Sequence, residues 1–82
     1  YLLLRYYFIL KMPKPFKLKL VLKVLLAKGF FFVSQNGSHA KYRSAGNPVL
    51  TVIVPIHGKE IPHGTFRSIL RQAKLQQSDF EE

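Results

Sequence analysis

From Phe16 to Lys28 the chain carries no helix breaker, and Leu18, Val21, Leu22 and Leu25 recur at i, i+3, i+4 and i+7, the spacing of one apolar helix face. Pro13 and Pro15 favour an extended lead-in and Gly29 supplies a stop, so a first helix is expected between them. Leu20, Val24 and Ala27 make a second apolar stripe on another side, for which the expected cover is the N-terminal arm or another chain. The period then shortens. Phe30 to Gln35 reads as a strand, with Phe30 and Phe32 on one face and Phe31 and Val33 on the other, and Asn36-Gly37 marks a hairpin turn. His39 to Ser44 is a second strand, Ala45 to Pro48 a turn, and Val49 to Val54 an apolar third strand stopped by Pro55. Ile56 to His63 reads as a loop. Thr65 to about Ala73 is a second helix, with Phe66, Ile69, Leu70 and Ala73 on one face and Arg67, Arg71 and Lys74 on a solvent side. Ser78 and Glu81 have capping-box spacing for a final turn that is expected to fray.

The order α-β-β-β-α predicts an α+β domain: a three-stranded antiparallel meander with both helices on one face, the arrangement of double-stranded-RNA-binding domains. Eighty-two residues suffice for one such unit. Tyr1 to Leu10 is apolar apart from Arg5 and falls short of a membrane-spanning helix, which needs about 20 residues. No basic segment precedes this run and no small-residue cleavage site follows it, so it does not read as a signal peptide. Met12-Pro13-Lys14 looks like a natural start. Residues 1–11 are therefore expected to be a non-native or flexible extension, the alternative being an extra strand or a partner-binding arm, and residues 12–82 a single domain.

Charge narrows the partner. Thirteen Lys and Arg against four acids give a net charge of +9, which attracts polyanions such as RNA, DNA or an anionic membrane surface. A hydrophobic fraction of 48% is too high for a disordered basic tail. With no cysteine, disulfides, thiolate catalysis and Cys-based zinc sites drop out, and three histidines remain as groups that titrate near neutral pH.

The turn Gln35-Asn36-Gly37-Ser38-His39 is the candidate chemical centre: Gly37 permits close backbone approach, and Ser38, His39 and free amides could meet a phosphate. Lys41 and Arg43 share a face with His39 by alternation. If the next hairpin is centred on Gly46 and Asn47, His39 lies opposite about Val54, and His57 emerges at the same end as a secondary catalytic candidate; a loop-structural role is the heavier reading for it. For Ser38, a turn or phosphate contact outweighs a nucleophile, since no acid lies near His39 in sequence. The histidines are poorly arranged for a metal, and no cofactor is expected. Of Phe30, Phe31 and Phe32, at least two are expected in the core rather than stacking on bases. A basic stripe on a helix is commonly just solvated, so Arg67, Arg71 and Lys74 gain weight only from the overall charge.

Lys28-Gly29-Phe30, Gln35 to Arg43, Val54 to Ile61 and Gly64 to Ala73, in this order and spacing, resemble the HicA family of mRNA interferase toxins, a likeness covering roughly Phe16 to Phe80. The resemblance implies a cytoplasmic prokaryotic toxin that cleaves mRNA without a bound ribosome and is held inactive by a HicB-type antitoxin. His39 is then the catalytic residue of a metal-independent endoribonuclease, a general acid or base, because imidazole suits either role near neutral pH. Gly37 and Ser38 would shape the phosphate pocket, with Lys41, Arg43, Arg67 and Arg71 holding RNA backbone. Lys74 departs from the family, standing where a glycine is common, and Leu20 and Val24 are more apolar than the pattern. Two other classes stay open: a non-catalytic RNA-binding module of the same fold, and an interaction protein forming a homo-oligomer through its first helix or N-terminal arm. An acidic partner surface that covers His39 is the expected means of inhibition.

Overall fold

Two apolar helix faces and one face of a meander meet in a single core. The computed structural model describes residues 15–81, so the expectations for residues 1–11 lie outside the described residues. The elements are strand β1 (Phe16–Lys17), helix α1 (Leu18–Ala27), strands β2 (Phe30–Asn36), β3 (His39–Ser44), β4 (Thr51–Pro55) and β5 (Glu60–Ile61), helix α2 (His63–Ala73) and a 3-10 turn (Gln77–Phe80). Strands β2, β3 and β4 form the antiparallel sheet in that order. Ala40, Tyr42, Val52 and Val54 on one face pack against Val21 and Leu25 of α1 and Phe66, Ile69 and Ala73 of α2, all buried. This is the α+β, double-stranded-RNA-binding-like layout that the element order predicts.

Phe16 and Lys17 are not helical. They pair with Ile61 and Glu60 as a second, two-stranded sheet, which places a short strand inside the expected loop. The Lys59 carbonyl accepts the Leu18 N–H at 2.9 Å and so satisfies a first-turn amide that no side chain caps. The Phe16 ring stacks on Phe66 at 3.8 Å. Helix α2 starts at His63, two residues before the expected Thr65, with the Pro62 carbonyl accepting the Phe66 N–H at 2.9 Å.

The first hairpin closes through Gly37 and Ser38, with Asn36 opposite His39, rather than through Asn36 and Gly37. Gly37 has φ +61 and Ser38 has no positive φ, so the left-handed residue sits first in the loop, as in type II′ turns. The next turn is one residue longer than expected, and His39 faces Pro55 instead of Val54. Ser44 N–H bonds Leu50 O and Ile56 N–H bonds Ser38 O, so the even-numbered residues of β3 carry the bonds to β4. His39 and Pro55 are therefore a non-hydrogen-bonded pair, where the missing N–H of proline costs the ladder nothing. Val49 stays outside the strand and is exposed.

Of the three phenylalanines only Phe30 is buried, against the expectation of two. Phe32 lies across from Tyr42 on the helix side, but β2 is an edge strand among the described residues and the ring meets the edge of Tyr42 at 5.8 Å while staying 53% exposed. At the C-terminus the capping box is Gln76 with Asp79 rather than Ser78 with Glu81. Phe80 does not fray: it is buried, edge-on to Phe66 at 5.0 Å. The turn lies along Leu20, Val24 and Ala27, with Lys28 and Asp79 paired at 3.3 Å, so the second stripe of α1 is partly covered by the chain's own C-terminal turn.

Candidate functional site

Strand alternation decides what surrounds His39. Because Ala40 and Tyr42 point into the core, His39, Lys41 and Arg43 point to the open face of the sheet. Their ladder partners share that face: Asn36, Ser34 and Phe31 on β2, and Pro55, Ile53 and Thr51 on β4. A bulge at Val33 makes this possible. It shifts the register by one residue between Phe32 and Ser34, so that Phe31 and Asn36, of opposite parity, reach the same side.

His39 is exposed at the end of β3, beside the Gly37–Ser38 loop. The loop amides donate to no backbone carbonyl among the described residues, while the Ser38 carbonyl is taken by Ile56 N–H at 2.7 Å. A Cβ at Gly37 would meet open space, so only its φ constrains that position. Arg43 Nε contacts Thr51 Oγ1 at 3.4 Å, a long bond that leaves the rest of the guanidinium unengaged among the described residues. Glu60, Asp79 and Glu81 all lie off this face, in β5 and the C-terminal turn. Among the described residues the surface is thus basic and free of carboxylates, suited to a phosphodiester.

His57 is exposed two residues beyond Pro55, in the loop that leaves the His39 end of the sheet. His63 belongs elsewhere: it is half-buried in the first turn of α2, stacked 6.5 Å from Phe16, with Nδ1 buried and without a partner among the described residues. Arg67 and Arg71 are exposed, but they sit on the helix layer, across the sheet from His39, and Arg71 donates to Ser68 Oγ at 3.1 Å. The predicted residues therefore form two separate patches: Gly37, Ser38, His39, Lys41 and Arg43 on the open face, Arg67 and Arg71 behind it. Sequence reading missed Phe31 and Thr51, the ladder partners of Arg43, as members of the histidine's face. Alternation within β3 pointed to the right face, but the bulge in β2 has no local sequence signal.

The chain matches the family described as HicA toxin of bacterial toxin-antitoxin over residues 19–75, more than two thirds of its length. It belongs to the HicA toxin family. No curated protein matches the chain closely enough to add to this. The HicA match spans α1 to the end of α2, and so takes in the His39 turn and both basic patches. As a HicA chain it is the toxin member of a toxin–antitoxin pair. Among the described residues no helix is long and apolar enough to cross a membrane.

Proposed function

We propose that this toxin is an endoribonuclease acting on mRNA, with His39 moving the proton at the scissile phosphate, and that a HicB-type antitoxin silences it by covering the open sheet face. The observation carrying this reading is the exposed His39 on a basic face that, among the described residues, holds no carboxylate, beside a glycine turn whose amides have no backbone partner among them. Residues 12–82 are the unit to which it applies.

The chemistry asks little more of the protein. The 2′-oxygen bonds to phosphorus as the P–O5′ bond breaks, giving a 2′,3′-cyclic phosphate and a 5′-hydroxyl. One group accepts the 2′-hydroxyl proton and another donates to the leaving O5′, so His39 fills one of these roles. Lys41 and Arg43 balance charge developing on the phosphate oxygens. His57 is the candidate for the second proton transfer.

Purified protein and its His39→Ala variant, incubated with labelled mRNA in EDTA, provide the test. Wild type cleaves to 5′-hydroxyl ends and the variant is slower by roughly 10²- to 10⁴-fold. Equal cleavage by both, or none by either, removes His39 catalysis. One feature favours a non-catalytic RNA-binding module: no side chain among the described residues hydrogen-bonds the His39 ring to orient it. Salt-sensitive binding with intact RNA after long incubation would select that module.

A further inference from the structure

The open face of the sheet carries a large aromatic ring where a β-surface facing water is ordinarily polar. Phe31 is 47% exposed and lies directly opposite Arg43. Lys41 and His39 follow on the same face at two-residue steps along β3, which puts His39 about 13 Å from Arg43 at the usual strand rise. The bulge at Val33 keeps Phe31, Ser34 and Asn36 on this one side, so the ring and the imidazole belong to a single surface.

We propose that this face binds a single-stranded RNA segment with one base stacked on Phe31, its backbone held by Arg43 and Lys41 and running toward the scissile phosphate at His39. The proposal rests on the ribonuclease reading and deepens it by assigning a base subsite. An exposed ring offers every base the same π-face, whereas bases inside a duplex are stacked on one another and show only their edges. A guanidinium directly across the ladder supplies the phosphate contact and a cation at the rim of the stacked base. Charge points the same way. None of the nine side chains on this face is acidic, and the whole chain carries +9.

Phe32 is equally exposed but lies on the helix side, and so provides an internal control. Binding is measured with the His39→Ala protein, so that the RNA stays intact, by fluorescence anisotropy of a short labelled single strand and of a hairpin duplex of like composition. Adding Phe31→Ala weakens the single strand by roughly 5- to 100-fold. Phe31→Tyr retains the affinity, Phe32→Ala changes it less than about twofold, and the duplex is affected far less than the single strand. A 2-aminopurine base in the strand loses its quenching with Phe31→Ala alone. Unchanged single-strand affinity in Phe31→Ala, or an equal loss for the duplex, overturns the stacking subsite; if His39-intact Phe31→Ala still cleaves RNA, the ribonuclease reading stands without it. Stacking seen with a wild type that cleaves nothing supports the subsite and removes the ribonuclease. Loss of binding to the purified antitoxin alone, with RNA untouched, makes Phe31 a protein contact and overturns the proposal.

Discussion

The Gln72 side-chain carbonyl accepts the backbone N–H of Ile53 at 2.7 Å, and through that bond helix α2 closes the outer edge of strand β4. Ile53 is of the parity whose N–H points away from β3, so without Gln72 this partly buried donor is unpaired. Gln72→Leu should lower unfolding stability by about 1–2 kcal/mol, the cost of an orphaned amide, while Gln72→Glu keeps an acceptor and loses less. Urea titration checks this; equal stability of Gln72→Leu and wild type would show that water serves Ile53 just as well.

Lys74 follows the last residue of α2 with φ +55, the left-handed cap conformation in which its N–H reaches back to Arg71 O at 3.3 Å. A side chain at such a position costs about 1 kcal/mol that glycine avoids. Lys74→Gly is expected to raise stability by roughly 0.5–1 kcal/mol, even after the greater freedom of glycine in the unfolded chain. A drop in melting temperature would show that the lysine makes a compensating contact.

Helix faces were the most legible part of the sequence, because Val21, Leu25, Phe66 and Ile69 repeat at a period that only one secondary structure satisfies. Strand identity was legible too, and alternation within β3 alone placed His39, Lys41 and Arg43 on one surface. What failed depends on contacts distant in sequence. Phe16–Lys17 became a strand because β5 lies beside it, and Phe32 stayed exposed because β2 has no outer neighbour among the described residues. The bulge at Val33, which brings Phe31 to the histidine's side, is a ladder property with no mark in composition. Arg67 and Arg71 were grouped with His39 on charge, and charge carries no information about which layer a helix joins.

The C-terminal turn should loosen in acid. The backbone N–H of Gln76 donates to the Asp79 carboxylate at 2.8 Å and holds its pKa below the usual range; partial desolvation opposes this and nearby Lys28 adds to it. A carboxyl with a depressed folded pKa contributes stability above its unfolded pKa, near pH 4, and that contribution fades as pH falls through the folded value. Thermal unfolding of wild type and Asp79→Asn from neutral to acid pH should show a gap that narrows below about pH 4. A gap independent of pH would mean that the aspartate acts by shape alone.

Separation of the two basic patches gives the RNA a choice that salt can read. Lys41 and Arg43 stand beside His39 on the open face, whereas Arg67 and Arg71 lie on the helix layer, with Arg71 already bonded to Ser68. If RNA lies on the open face, Lys41→Ala/Arg43→Ala removes two phosphate contacts and flattens the plot of log affinity against log salt by about 1.4, at ~0.7 per contact for a single strand. Arg67→Ala/Arg71→Ala then acts through the long-range field only. It should weaken binding less than about threefold at physiological salt, where the Debye length is about 8 Å, and leave the slope nearly unchanged. Equal slope changes from both double variants would require the strand to pass around the sheet edge and engage both layers. A change from the helix pair alone would move the binding surface to α2, away from His39.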